Sequence, residues 1–197
     1  AGGFYELAKR LMDILGAVAG LLLLLFCAPF ITIAIFLESG RPIFFSQDRL
    51  GKNGQIYRIS KFRTMRQDAE KDGKARMAVE NDDRVTKVGR FLRKSHLDEL
   101  PQFLSVLKGT MSLVGPRAER PELVDTLQEK IPFYRARLFV NPGITGWAQV
   151  NYGYASNIDQ TIIKLEYDLY YIKHRDLFLD ILIILRTAGA VFGLKGQ

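Results

Sequence analysis

Two adjacent carboxylates, Asp98 and Glu99, stand in the segment Ser95-His-Leu-Asp-Glu-Leu-Pro-Gln102. Pro101 places them at a helix start, because proline is tolerated in the first turn, where its missing amide has no intrahelical partner. Ser95 with Asp98 resembles a capping pair, and the dipole of a helix N-terminus favours an ionised acid. One reading is that both acids only cap the helix. The other is chemical. A carboxylate can attack phosphorus and form an acyl phosphate. The repulsion of an anionic diphosphate is then offset by a metal ion and by Lys or Arg. Magnesium suits one or two carboxylates plus substrate oxygens, and Asp98 is a candidate metal ligand. Lys61, Arg63 and Arg117 are candidates for the positive cradle.

The charge balance supports an anionic partner. The 197 residues carry 28 Lys and Arg against 21 Asp and Glu, a net charge of +7. Residues 51–95 hold 13 bases and 6 acids, while the segments on either side are balanced. Such a block suits anionic lipid, a phosphorylated small molecule or nucleic acid, or it is simply a solvated face. No zinc, helix-turn-helix or aromatic-platform pattern points to nucleic acid. The single cysteine, Cys27, excludes an intrachain disulfide framework and a multi-cysteine zinc site.

The elements that must position these groups begin with an apolar run. Ile14 to Leu37 holds 24 residues without a charge, more than the roughly 20 that a membrane-crossing helix needs. Pro29, after Ala28, removes a backbone donor and crowds the preceding turn, so the helix must kink or break there. A spanning helix with a kink and a re-entrant hairpin with both ends on one face are both open on the residues alone. Short strands are predicted at 41–45 and 55–59, with a hairpin through Asn53-Gly54. Residues 67–83 read as a polar loop. Helices are predicted at 85–94, 100–107, 121–137 (interrupted at Pro132), 158–173 and 177–191. Asn141 to Gly146 has turn chemistry. The stretches 100–107 and 177–191 could lie on a membrane surface or in a core.

Several motifs together resemble one family. They are Lys9-Arg10 with Asp13, Ala28-Pro29, Lys61-Phe-Arg-Thr-Met65, Ser95 to Gln102, Lys108-Gly-Thr-Met-Ser-Leu-Val-Gly-Pro-Arg117, and Pro142-Gly-Ile-Thr-Gly-Trp-Ala-Gln-Val-Asn151. In this order the chain resembles the bacterial sugar transferases, the monotopic phosphoglycosyl transferases. Gln149-Val-Asn-Tyr-Gly and Leu165 to Tyr171 resemble the polysaccharide-initiating branch, whose members often carry further N-terminal membrane helices. The resemblance implies transfer of a sugar-1-phosphate from a UDP-sugar to undecaprenyl phosphate, with release of UMP. It implies Asp98 as the nucleophile of a covalent phosphosugar intermediate, with Glu99 assisting and Mg2+ required. Lys61, Arg63, Arg117 and Gln149 match substrate-binding positions. Asn141 stands where the family often has Arg, so no contact is carried over there.

The architecture implied is mainly α with a small β-hairpin. Residues 1–40 form a re-entrant membrane hairpin broken at Ala28-Pro29. Residues 41–197 form a compact cytoplasmic catalytic domain with amphipathic interfacial helices, at the bacterial inner membrane. A homo-oligomer is compatible with the apolar 177–191 stretch. The competing classes are a membrane-tethered nucleic-acid binder and a non-catalytic assembly protein.

Overall fold

The computed structural model describes residues 2–69, 82–153, 155 and 157–192. Helices dominate. Helix α1 (Gly3–Ser39) is followed by strands β1 (Phe44–Leu50) and β2 (Ile56–Phe62) and by helix α2 (Lys87–Lys94). A 3-10 helix, Leu97–Gln102, runs directly into α3 (Phe103–Lys108), and β3 (Ser112–Val114) follows. The remainder is α4 (Pro121–Lys130), a 3-10 helix at Tyr134–Phe139, β4 (Gly143–Thr145), α5 (Trp147–Asn151), α6 (Ile158–His174) and α7 (Leu177–Phe192). The polar loop expected at 67–83 falls mostly on residues outside those described.

Helix α1 lacks the interruption expected at Ala28-Pro29. It stays helical through Pro29 from Gly3 to Ser39, with no turn at Ala28-Pro29. The reason lies in its packing. Both halves rest on the same domain, so tertiary contacts on each side of the proline offset the one lost backbone bond. At the N-terminal end, Lys9 Nζ lies 2.9 Å from Asp180 Oδ2, and the Asp13 carboxylate accepts from Ser112 Oγ at 3.0 Å and Leu113 N–H at 2.8 Å. Arg10 donates to the carbonyls of Val106 and Leu107 at the end of α3. At the C-terminal end, Ile31 and Ile35 pack against Phe62 and Leu92. There Glu38 accepts from the first amides of α2, Lys87 N–H at 2.7 Å and Val88 N–H at 2.9 Å.

The opposite face of α1 is apolar and exposed along its whole length, from Phe4 and Leu7 through Leu22 and Phe26 to Phe36 and Leu37. Phe91 of α2, Leu104 and Leu107 of α3, and Phe178, Ile181 and Leu185 of α7 are also exposed, and all three helices pack beside α1. An exposed apolar surface of this extent marks an interaction or membrane face.

The hairpin is present, but β1 starts three residues later than expected, β2 starts one residue later, and both strands are longer. β1 and β2 pair antiparallel from Phe44 opposite Phe62 to Leu50 opposite Ile56. Asn53 (φ 56°) and Gly54 (φ 78°) take the left-handed conformations of the turn, which these two residue types tolerate best. The supposed turn at 141–146 contains a strand. β4 pairs parallel with β3, Ser112 opposite Gly143 and Val114 opposite Thr145. A side chain at Gly143 would run into the backbone nitrogen of Gly115, so glycine permits this close approach.

Candidate active site

Three elements converge on the acidic pair. β2 carries Lys61 near its end. After α2, the chain turns through His96 in the left-handed region (φ 56°) and enters the 3-10 helix with Asp98 and Glu99 in its first turn. Arg117 follows β3, where its backbone bridges in parallel to Gly143. The expected helix start is therefore present, but Ser95 does not cap it. Its hydroxyl donates backward to the carbonyls of Phe91 and Leu92, at 2.9 and 3.2 Å, closing α2.

The two acids have different surroundings. Glu99 Oε1 accepts from Lys61 Nζ and, at 2.9 Å, from Arg117 Nη2. Burial opposes its charge, but Arg117 and Lys61 more than offset that and hold its carboxyl well below the usual carboxylate range. No hydrogen bond or ion pair among the described residues engages the Asp98 carboxylate. Burial, followed by the charge of Glu99, pushes Asp98 up to about 6 against the pull of Lys61, Arg93 and Arg117. The helix dipole expected to keep it ionised is outweighed, because a 3-10 helix of one or two turns has little dipole to offer. Burial, chiefly, also moves the Lys61 ammonium down.

Lys61, Asp98, Glu99 and Arg117 are thus brought together. Arg63 is placed elsewhere. Its Nη2 donates to Ser39 O at 2.8 Å, Ser39 Oγ at 2.7 Å and Gly40 O at 2.8 Å, clasping the end of α1. Gln149 lies in α5, and its amide donates to Ile144 O at 2.9 Å. Its described contacts tie it to β4 rather than to the dyad. Asn141 donates to Gly109 O at 3.2 Å.

Sequence reasoning missed Arg93, whose charge acts on Asp98 and whose Nε donates to Thr64 Oγ1 at 3.0 Å. It also missed Arg49 and Gln102, which line a small crevice with Lys61 and Arg117. In the observed register Arg49 and the partner of Lys61, Phe45, share one face of the hairpin, a placement beyond the strand predicted at 41–45. Arg117 is held from behind by a buried network. Arg137 Nη2 donates to Arg117 O at 3.0 Å and to Asp168 Oδ2 at 2.8 Å, and Arg137 Nη1 donates to Tyr134 Oη at 2.7 Å.

Among the described residues, no three His, Cys, Asp or Glu side chains form a cage for a metal ion. The donor set instead offers one uncommitted carboxylate, Asp98, next to a cationic wall. That suits an ion such as magnesium, which takes one or two carboxylates and completes its shell with phosphate oxygens and water.

Residues 4–194 match the bacterial sugar transferase family. A UDP-N-acetylgalactosamine-undecaprenyl-phosphate N-acetylgalactosaminephosphotransferase of Aeromonas hydrophila is 50% identical over 187 residues, covering 95% of this chain and 44% of the relative. A UDP-glucose:undecaprenyl-phosphate glucose-1-phosphate transferase of Xanthomonas campestris pv. campestris is 40% identical over 194 residues, covering 98% of this chain and 40% of the relative. The chain spans less than half the length of these two relatives. The uncharacterized sugar transferase EpsL of Bacillus subtilis (strain 168) is 41% identical over 192 residues, covering 95% of this chain and 89% of the relative.

Proposed function

The chain belongs to the bacterial sugar transferase family, and from that membership we propose that it moves a sugar-1-phosphate from a UDP-sugar to undecaprenyl phosphate through a covalent intermediate on Asp98. The observation that carries this reading is the unequal treatment of two neighbouring acids. Glu99 is held between Lys61 and Arg117, whereas Asp98 is uncommitted. A carboxylate already held by two cations is a poor nucleophile; an unbonded one beside three cations is a better one.

In the first step an Asp98 oxygen bonds to the phosphorus next to the sugar. The bond from that phosphorus to the bridging diphosphate oxygen breaks, and UMP departs with the electron pair. In the second step a phosphate oxygen of undecaprenyl phosphate bonds to the same phosphorus. The Asp98–phosphorus bond breaks and the carboxylate is restored. Glu99 keeps Lys61 and Arg117 aimed at the phosphate oxygens, where their charge offsets the repulsion between substrate and nucleophile. Asp98 would also hold a magnesium ion, which would supply further charge neutralisation.

The packing of α1 supports the same reading. Both ends of α1 bond to the one domain, and the face of α1 turned away from that domain is apolar. We place the domain at the cytoplasmic face of the inner membrane, where a soluble nucleotide sugar and a lipid phosphate can reach one site. Cysteines introduced near residues 5 and 41 should both be labelled from the cytoplasmic side; labelling from opposite sides would refute that placement. The chemistry is tested with a UDP-sugar carrying label in the phosphate next to the sugar, starting with UDP-N-acetylgalactosamine and UDP-glucose. Wild-type protein should become labelled and release UMP, and Asp98→Asn should do neither. Normal labelling of Asp98→Asn would sink the assignment.

A further inference from the structure

A small crevice opens beside the dyad, between the β1–β2 hairpin, the 3-10 helix and the loop after β3. Its polar wall is Arg49, Lys61, Gln102 and Arg117. Two of these residues bring donors with nothing to donate to. Gln102 is 5% exposed, and its Nε2 is buried without a hydrogen-bond partner. Arg49 uses both terminal nitrogens, on Ala118 O at 3.1 Å and Gln47 Oε1 at 2.8 Å, while its Nε is buried and unpaired. Buried donors are seldom left unsatisfied, so this wall is arranged for an acceptor. The nearby carboxylates are already engaged. Glu99 accepts from Lys61 and Arg117. Glu119 faces Arg137 at 3.5 Å, Lys164 at 3.7 Å and Arg49 Nη1 at 3.9 Å. Donors from four side chains, three of them cationic, suit a tetrahedral oxyanion with several acceptor oxygens.

Asp98 is not on the crevice wall. Two phosphorus atoms of a diphosphate are joined through one oxygen, so if Asp98 attacks one outside the crevice, the other can reach into it. We propose that the crevice is the subsite for the phosphate that departs with the nucleoside, with Gln102 Nε2 and Arg49 Nε as its donors. This rests on the transferase reading. Its role would be to receive the charge that grows on the leaving phosphate as the bridging bond breaks.

The test measures binding of UMP and of uridine to the protein in lipid nanodiscs, with thermal unfolding and covalent labelling recorded on the same preparations. Gln102→Leu and Gln102→Glu should weaken UMP binding by roughly tenfold or more, the size expected for a lost hydrogen bond to a charged group. Uridine binding should not change. Arg49→Lys, which keeps the charge and loses Nε, should weaken UMP in the same direction and serves if the Gln102 variants do not fold. Unchanged UMP affinity in the folded variants overturns the subsite while normal wild-type labelling leaves Asp98 in place. Loss of UMP affinity in the variants with no labelling of wild-type protein keeps the anion subsite and removes the Asp98 reading.

Discussion

The ammonium of Lys9, near the start of α1, lies 2.9 Å from the fully buried carboxylate of Asp180 in α7. The same carboxylate accepts from Tyr5 Oη at 3.0 Å and Tyr171 Oη at 2.7 Å. One anion therefore joins α1, α6 and α7 where the apolar helix meets the domain. Removing one partner of such a pair strands the other charge in the core. Lys9→Met should cost about 3–5 kcal/mol in denaturant unfolding, and pairing it with Asp180→Leu should recover part of the loss. A loss below about 1 kcal/mol for Lys9→Met, the range of an exposed pair, would show that water reaches Asp180.

The raised Asp98 carboxyl gives a pH prediction with a definite sign. On the proposed mechanism the Asp98 carboxyl must be ionised to attack, and burial with Glu99 beside it puts the midpoint at about 6. The single-turnover labelling rate should rise as pH increases through that value and level off above it. Glu99→Gln removes a charge that opposes ionisation of Asp98 and frees Lys61 and Arg117 to favour it. Its acid limb should move to lower pH even though the plateau falls. An acid limb that moves to higher pH, or a rate that falls as pH rises from about 5 to 7, contradicts the assignment of roles.

Two glycines on α1 should respond differently to alanine. A Cβ at Gly20 would lie 2.4–2.5 Å from three ring atoms of Phe103, including Cγ near the root of a rigid side chain. At Gly16 the severe contact, 2.4 Å, is to a terminal methyl of Leu113, which can rotate away. Gly20→Ala should lose about 1–3 kcal/mol through overpacking. In Gly16→Ala the gain in helix propensity, up to about 1 kcal/mol, should offset much of the strain. Thermal unfolding of both variants checks this. Equal melting points would mean that α1 is not seated on Phe103 as described.

Much of this arrangement is legible in the sequence, and the parts that are not share a cause. The charge-free run from Ile14 to Leu37 announces α1, and apolar spacing announces α2, α3, α6 and α7. Local pattern cannot report what the other half of a contact does. β3 and β4 are three residues each and pair across some thirty residues of chain, so neither has a period to read. Beyond Pro29, α1 packs through Ile31 and Ile35 on Phe62 and Leu92, which are distant in sequence. The division of labour in the dyad has the same origin. Asp98 and Glu99 are indistinguishable by neighbours and helix position. Lys61, 38 residues before Glu99, and Arg117, 18 after it, select one of them.

Arg63 provides the last separation between motif and geometry. Motif resemblance sets it near the phosphates, whereas its Nη2 is committed to Ser39 and Gly40. Gly40, at a positive φ (70°), ends α1, and the last carbonyls of a helix lack intrahelical donors. Arg63 fills that need from just beyond β2, while Glu38, the residue before Ser39, satisfies the first amides of α2. Arg63→Gln should therefore lower stability by about 1–3 kcal/mol, the cost of hydrogen bonds lost from a buried charged donor. Affinity for UMP should stay at the wild-type value in whatever fraction remains folded. If instead UMP binding weakens while unfolding is unchanged, the side chain reaches substrate, and the clasp on α1 is not its principal role.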